Sequence, residues 1–216
     1  MFASPDIILA SASPRRAELL QQIGVNFEVC VSDIDEQPRL GEAPRDTVCR
    51  FAIEKASSVL RTLRAQGGGQ LPVLGADTIV VVNGDVLGKP IDHDDAQQML
   101  SRLSNHWHEV LTAVAVVGEV VDTGKITVEL LCNVTRVHMR VLTSAEIEGY
   151  SRYEKVMDKA GGYAVQGIAA SFIDRIEGSY SAVMGLPLYE TSELLRRFGI
   201  NILTPGESGS KKTNNE

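Results

Sequence analysis

The chain has 216 residues, of which 44% are hydrophobic, and a formal net charge of −7 at pH 7. This length and composition suffice for one domain with a buried core, so a second independent domain is not required. The acidic balance disfavours broad binding to nucleic acids or anionic membranes, and it makes any local cluster of cations conspicuous.

The three cysteines, Cys30, Cys49 and Cys132, are widely spaced and form neither a CxxC pair nor a zinc motif with histidine. We expect them to be reduced thiols of the core. No signal peptide is recognisable before the first predicted strand, and the apolar runs are far shorter than the ~20 residues of a membrane span. These features predict a cytoplasmic protein that binds neither membranes nor nucleic acid.

The first predicted unit is a strand, loop and helix over residues 7–25. Its apolar run predicts a short buried strand over 7–9, and the four small residues that follow let a ligand approach the backbone. Pro14 suits the first position of a helix, which Ser13 is placed to cap and Gly24 to end.

The start of this helix is a candidate anion site, because free N–H groups at a helix N-terminus attract negative charge. The hydroxyls of Ser11 and Ser13 and the guanidinium groups of Arg15 and Arg16 add donors there. Both arginines could instead be ordinary surface residues of a first turn. However, cations at a helix start are mildly unfavourable unless an anion neutralises them, so the pattern favours a phosphate site.

The next segments continue the alternation of strand and helix. Apolar residues alternate through Val29 and Val31, which predicts a half-buried strand that delivers Asp35 and Glu36 at its end. A loop containing proline and glycine follows, and residues 45–66 show the apolar spacing of a long helix.

The stretch 72–90 predicts a central strand and a hairpin, with Asn83 and Gly84 as a type I′ turn and Lys89 just beyond the return strand. Asp77 interrupts the otherwise apolar central strand, where a solvated surface aspartate is not expected. Its alternative role is that of a buried carboxylate capping a neighbouring turn.

The second half of the chain predicts further helices and long strands. Asp92 is placed to cap a helix that runs to about Leu103, and two long β-rich segments then flank a polar turn at 122–125, as in an extended antiparallel pair. Thr143 and Glu146 form a capping box for another helix.

The last segments, ASFIDRI and SAVMG, have strand-like patterns, and residues 187–198 predict a final helix. The polar stretch 206–216 is expected to be disordered. The sequence thus predicts a single α/β domain over residues 1–205.

Three groups of polar residues fall at strand ends or in loops, where functional side chains are often displayed. They are Asp35 with Glu36, Asp77 with Thr78 and Lys89, and Asp158 with Lys159 and Gln166. Carboxylates suit Mg²⁺, and lysines supply charge for a polyphosphate. Lys55 lies within a helix, where a solvated face is the ordinary role. His106 and His108 lack a third zinc ligand, which favours a structural or surface role.

Seven segments carry a resemblance to a known family: LASASPRRAELL, DIDE, EKA at 54–56, GADTIVVVNGDVLGKP, HEVLTAV, DKAGGYAVQG and VMGLPLYE. From about Ile7 to Phe198 the chain resembles the Maf family of nucleoside triphosphate pyrophosphatases. The resemblance implies an elongated α/β fold, with a long twisted mixed sheet flanked by helices and a central cleft between two lobes, similar to inosine triphosphate pyrophosphatases. It implies hydrolysis of the α–β phosphoanhydride to a nucleoside monophosphate and pyrophosphate, a divalent cation (Mg²⁺ or Mn²⁺) and a homodimer.

The resemblance also assigns roles to residues. It matches Asp77 to the catalytic carboxylate and Glu36, Lys55 and Lys89 to polar residues of the cleft. We predict that Lys55 and Lys89 act with Asp77 in catalysis and that Glu36 and Asp77 hold the metal. The substrate-binding residues that it and the anion-site pattern assign are Ser13, Arg15, Arg16, Thr78, Lys159 and Gln166.

Arg15, Thr78 and Gln166 match the branch that acts on dTTP and UTP rather than on 7-methyl-GTP. The Gln166 amide offers a donor and an acceptor, which suit the N3–H and a carbonyl of uracil or thymine. Asn105 departs from the family pattern, which often has glycine there. Two alternatives stay open: a house-cleaning pyrophosphatase for modified nucleotides, and a nucleotide-binding regulator of cell division without turnover.

Overall fold

A computed structural model describes residues 4–120, 124–153 and 156–202 of the chain. Its strands are β1 (Ile7–Leu9), β2 (Phe27–Val29), β3 (Val73–Val82), β4 (Asp85–Leu87), β5 (Trp107–Glu119), β6 (Ile126–Met139) and β7 (Ile173–Glu177). Its α-helices are α1 (Pro14–Gln22), α2 (Pro44–Ala65), α3 (His93–Leu103), α4 (Ser144–Tyr153), α5 (Tyr180–Met184) and α6 (Leu188–Arg197). Two short 3₁₀ turns lie at 160–162 and 168–171.

The strands form one mixed sheet of seven strands in the order β2-β1-β3-β5-β6-β7, with β4 paired to the far end of β3. β1 runs parallel to β2 and β3, and the other pairs are antiparallel. Helices flank this sheet, which confirms the predicted α/β class. The paired arms β5 and β6 confirm the expected long antiparallel hairpin.

Successive stretches of β3 contribute to different hydrophobic clusters. Leu74 and Ala76 pack with α1 and α6, whereas Val80 and Val82 pack with α3 and α4. The opposite face of the same strand packs against α2. The buried side chains of β3 are therefore shared among four hydrophobic clusters along the strand.

Local signals for turns and caps are confirmed at several places. Asn83 and Gly84 have φ of 52° and 85°, as a type I′ turn requires. The Asp92 carboxylate accepts from the Asp95 N–H at the start of α3. Asn105 has φ of 59°, a left-handed conformation that asparagine tolerates better than most residues, so it keeps a backbone shape that suits glycine.

Three expectations were wrong. Val29 and Val31 are 49% and 59% exposed, because β2 is a three-residue strand at the edge of the sheet that ends at Val29. The segment SAVMG forms helix α5 rather than a strand, since Ser179 caps it by accepting from the Ala182 N–H. Ser13 occupies the N-cap position of α1 but its side chain makes no capping hydrogen bond.

The remaining expectations concern the cysteines, the tail and membranes. The three cysteines are free and partly buried. The predicted tail at 206–216 and residues 122 and 123 of the predicted turn lie outside the described residues. Within the described ranges, no helix combines the length and apolar character needed to cross a membrane.

Candidate active site

A cleft of about 740 Å³ opens along one edge of β3. On this edge, β1 pairs only with Val73 and Leu74, and β4 pairs only with residues 80–82. The stretch between them faces the cleft, and its side chains alternate between the two faces of the sheet. Asp77 therefore points to the face of the sheet that is covered by α2, and Thr78 points to the face covered by α1 and α5. Both side chains border the cleft.

The cleft brings together all of the predicted site residues except one. Its lining includes Ser13, Arg15, Arg16, Glu36, Lys55, Asp77, Thr78, Lys89 and Lys159. Gln166 lies instead on an exposed turn and is not part of the lining, because the chain turns outward after the buried segment that ends at Val165.

Lys55 is buried although its helix position suggested a solvated face. Its side chain is 8% exposed, and its Nζ lies 2.7 Å from Asp77 Oδ1 and 3.2 Å from Glu36 Oε1. Two carboxylates from distant segments thus meet on one ammonium group. The alternative in which Asp77 caps a neighbouring turn is not observed, because its described hydrogen bond goes to Lys55.

Glycine at position 75 allows this close approach of α2 to β3. A Cβ at Gly75 would lie 2.4 Å from the Ala52 carbonyl oxygen and 2.7 Å from the Ala56 nitrogen, closer than real Cβ contacts. The helix backbone therefore rests directly on the strand two residues before Asp77. This contact places Lys55 over the carboxylate, and no short-range sequence pattern reveals it.

Arg16 is held by three acceptors at the start of α1. Its Nε donates to the Gly185 carbonyl at 2.9 Å, its Nη1 to Ser11 Oγ at 3.1 Å and its Nη2 to Thr78 Oγ1 at 3.3 Å. Burial lowers the pKa of the guanidinium, which nevertheless stays charged in proteins. In the described parts of the chain no acceptor is found for its other N–H groups, which leaves them for a ligand, as the anion-site prediction requires.

Further cations stand around the cleft. Arg15 lies 3.9 Å from Asp158, and Lys159 pairs with the same carboxylate. Lys89 also lines the cleft and is exposed, and no ion pair is found for it among the described residues. Together with Arg16, these side chains give the mouth of the cleft a positive character within an acidic protein, which suits a small polyanion.

The loop that carries Glu36 is anchored to α2 through Arg50, a residue that the sequence did not single out. Arg50 donates from Nε and Nη2 to the Glu42 carboxylate at 2.7 and 2.6 Å and from Nη2 to the Gln37 carbonyl at 3.1 Å. These hydrogen bonds hold the pKa of Glu42 at about 2 and raise the pKa of Arg50. The anchored loop positions Glu36 beside Lys55.

His108 has a structural role next to the cleft, as the missing zinc set suggested. It is 2% exposed, and its Nε2 lies 2.7 Å from the hydroxyl of Tyr163, which lines the cleft. Burial lowers the pKa of His108 to about 4 and raises the pKa of Tyr163, so both side chains are neutral near pH 7. His106 is exposed and contacts the Ser104 carbonyl.

The carboxylate pair is the part of the site that suits a cation. Glu36 and Asp77 already converge on the Lys55 ammonium, and oxygen donors of this kind suit Mg²⁺ and Mn²⁺. In the parts of the chain that the structure covers, no group of three or more His, Cys, Asp or Glu side chains is arranged to hold a metal. A divalent cation here would therefore draw further ligands from water and substrate phosphates, as Mg²⁺ commonly does.

Comparison with known proteins assigns this architecture to a family. The sequence model described as "Maf-like protein" matches residues 6–198. A protein of Hahella chejuensis named dTTP/UTP pyrophosphatase is 50% identical over 91% of this chain and 94% of its own length. Proteins of the same name from Geobacter sulfurreducens and Escherichia coli K12 are 49% and 48% identical, each over 89% of this chain and over 96% and 92% of their own lengths.

Proposed function

The chain belongs to the Maf-like protein family, and we propose that it is a pyrophosphatase that hydrolyses dTTP and UTP to the nucleoside monophosphate and pyrophosphate. The structural observation that carries this proposal is that Glu36 and Asp77 both contact the Lys55 ammonium group inside a cleft bordered by arginine and lysine side chains. Similarity to relatives named dTTP/UTP pyrophosphatase supports the choice of substrate.

The cations of the cleft bind the triphosphate. Arg16 is preorganised by its three acceptors, and Arg15, Lys89 and Lys159 add charge around it. Substitution at phosphorus needs alignment and charge neutralisation more than covalent chemistry, so fixed cations at the polyphosphate lower the barrier. No nucleophilic serine or cysteine is required in this scheme.

Asp77 orients the attacking water and accepts its proton. Its Oδ1 is fixed by Lys55, while Oδ2 accepts no hydrogen bond from the described residues and is left for water. The oxygen of that water forms a bond to phosphorus as the α–β bridging bond breaks, and pyrophosphate leaves. The Lys55 contact holds the Asp77 carboxylate in one orientation, which a base in this position needs.

We infer that Glu36 and Asp77 hold the divalent cation, Mg²⁺ or Mn²⁺. When bound, this cation supplies positive charge to phosphate oxygens and polarises the phosphorus centre. The residues present fit that role because two carboxylates of separate segments already share one positive group.

Selection of the base is proposed to involve residues that the structure does not bring together in the cleft. Thr78 borders the cleft, but Gln166 is exposed and lies outside it. If Gln166 pairs with uracil or thymine during turnover, Gln166→Glu should lower the preference for UTP and dTTP over CTP. An unchanged preference would show that Gln166 does not select the base.

A pyrophosphate-release assay over a panel of nucleotides tests the proposal, with Asp77→Asn as the matched variant. The asparagine keeps size but removes the charge, so turnover should be lost while nucleotide binding stays measurable. Near-normal hydrolysis by this variant at saturating Mg²⁺ would remove Asp77 from the mechanism. The expected homodimer and cytoplasmic location remain proposals, to be tested by sedimentation and by fractionation of cells.

A further inference from the structure

We propose that Thr112 is a positioning residue whose hydroxyl fixes the direction of a hydrogen-bond chain that aims the Arg16 guanidinium into the cleft. This inference rests on the proposed pyrophosphatase function. It concerns a residue of the central sheet that borders no ligand space itself. The inference is drawn from three hydrogen bonds that join four groups: the Arg16 guanidinium, the hydroxyls of Thr78 and Thr112, and the Ala182 carbonyl of α5.

The two threonines are brought together by strand pairing. Thr78 of β3 and Thr112 of β5 are direct partners in the antiparallel register. Their Oγ1 atoms lie 3.0 Å apart, and Thr112 is fully buried. Thr112 Oγ1 also lies 2.8 Å from the Ala182 carbonyl oxygen. A polar residue at this point of an otherwise apolar strand thus has two partners and no contact with solvent.

The direction of the chain follows from counting protons. A hydroxyl has a single hydrogen to donate, and a carbonyl can only accept. Thr112 must therefore donate to Ala182, which leaves it as the acceptor for Thr78. The Thr78 hydroxyl therefore donates its only hydrogen to Thr112 Oγ1 and accepts a hydrogen bond from Arg16 Nη2, which lies 3.3 Å away.

This orientation makes Thr78 an acceptor for Arg16 rather than a donor to a phosphate. Without the Thr112 hydroxyl, the Thr78 hydroxyl is free to rotate and to turn its hydrogen toward the guanidinium. Arg16 would then keep its contacts with Gly185 and Ser11 but lose the third anchor. Because Arg16 is proposed to bind the triphosphate, a loosely held guanidinium binds pyrophosphate groups less tightly.

The competing explanation is that Thr112 only satisfies the Ala182 carbonyl and so stabilises α5. The two explanations differ in whether Thr112 acts through Thr78. If it does, the effect of removing its hydroxyl depends on Thr78 being present, and the two substitutions are not additive. If Thr112 is only structural, its removal has the same effect whether or not Thr78 carries a hydroxyl.

The test compares two pairs of residues at position 112 in which the hydroxyl is replaced: by a methyl group from threonine to Thr112→Val, and by hydrogen from Thr112→Ser to Thr112→Ala. Each is made in the wild-type background and with Thr78→Val. The measurements are kcat and KM for UTP and dTTP, the Kd of inorganic pyrophosphate by calorimetry, and Tm. The serine and alanine pair keeps the test valid if the valine variant does not fold.

In the wild-type background we expect each loss of the hydroxyl to weaken pyrophosphate binding and to lower kcat/KM by about two- to twelve-fold, the range for one net hydrogen bond. Thr112→Ser should rescue both quantities. With Thr78→Val, the loss of the hydroxyl should leave kcat/KM and Kd unchanged while still lowering Tm. Equal losses in both backgrounds, or no loss in the wild-type background, would overturn the inference.

The proposed function and this inference fail in different ways. If the wild-type protein releases pyrophosphate from no nucleotide, the proposed function is wrong. The Kd of pyrophosphate then still decides whether Thr112 acts through Thr78 on the anion site. If the enzyme is active but the double-variant cycle is additive, only the role of Thr112 is wrong.

Discussion

Removing the charge of Lys55 tests how the buried ion pair supports both the fold and the site. The Lys55 and Asp77 side chains are only 8% and 10% exposed, and their charged atoms lie 2.7 Å apart. In Lys55→Met the stem keeps its length, but Asp77 is left in the interior without its partner. Such a loss costs about 3–5 kcal/mol, because the remaining charge is desolvated and unpaired.

Thermal unfolding followed by circular dichroism measures this cost. For a chain of this size about 1 kcal/mol shifts Tm by about 2–4 °C, so Lys55→Met should lower Tm by roughly 6–20 °C. The double variant Lys55→Met with Asp77→Leu should recover much of the loss, since replacing a whole buried pair by apolar residues is often neutral.

Lys89→Met is the matched control, because Lys89 is a second lysine of the cleft but is exposed and has no ion pair among the described residues. It should lower activity while leaving Tm nearly unchanged. The reasoning would be refuted if Lys55→Met and Lys89→Met had equal Tm values. It would also be refuted if Lys55→Met unfolded no more easily than the wild type.

Three further predictions concern packing, acid and metal. Gly75→Ala should destabilise the protein by about 1–3 kcal/mol and lower activity, because the added methyl group pushes α2 away from Asp77. Unchanged Tm and kcat would contradict the close contact between α2 and β3. Hydrogen bonds from Arg140 and from Thr143 hold the pKa of Glu146 at about 2, below its ordinary value of 4.5, so its contribution to stability is present above pH 4.5 and is lost as the pH falls toward 2. The Tm difference between wild type and Glu146→Gln should therefore shrink over that window, and a difference independent of pH would refute this assignment. Excess EDTA should abolish hydrolysis and Mg²⁺ or Mn²⁺ should restore it, whereas full activity in EDTA would exclude the metal-dependent proposal.

Local sequence signals predicted much of the fold correctly. The strand, loop and helix around Pro14, the type I′ turn after β3 and the capping box at Thr143 depend on residues a few positions apart. Such signals act within one element, so the sequence carries them directly. The same locality explains the error at α5, because a five-residue apolar run fits a strand as well as a helix.

The candidate site was predicted less completely because it depends on contacts between distant segments. Burial of Lys55 follows from Gly75, whose missing side chain lets α2 rest on β3. The role of Thr112 depends on the register between β3 and β5, which cannot be derived from local sequence patterns. A threonine within the apolar run LTAVAVV was a visible signal, but its partner was known only once the strands were paired.

The central claim is hydrolysis of the α–β phosphoanhydride of pyrimidine nucleoside triphosphates in the cleft around Asp77. The most direct measurement is kcat/KM with product identification for UTP, dTTP, CTP, ATP, GTP and 7-methyl-GTP, using protein freed of bound nucleotide. We predict that UTP and dTTP are the best substrates and that they yield UMP or dTMP together with pyrophosphate. The claim would be contradicted by products UDP or dTDP with phosphate, or by a higher kcat/KM for CTP or 7-methyl-GTP.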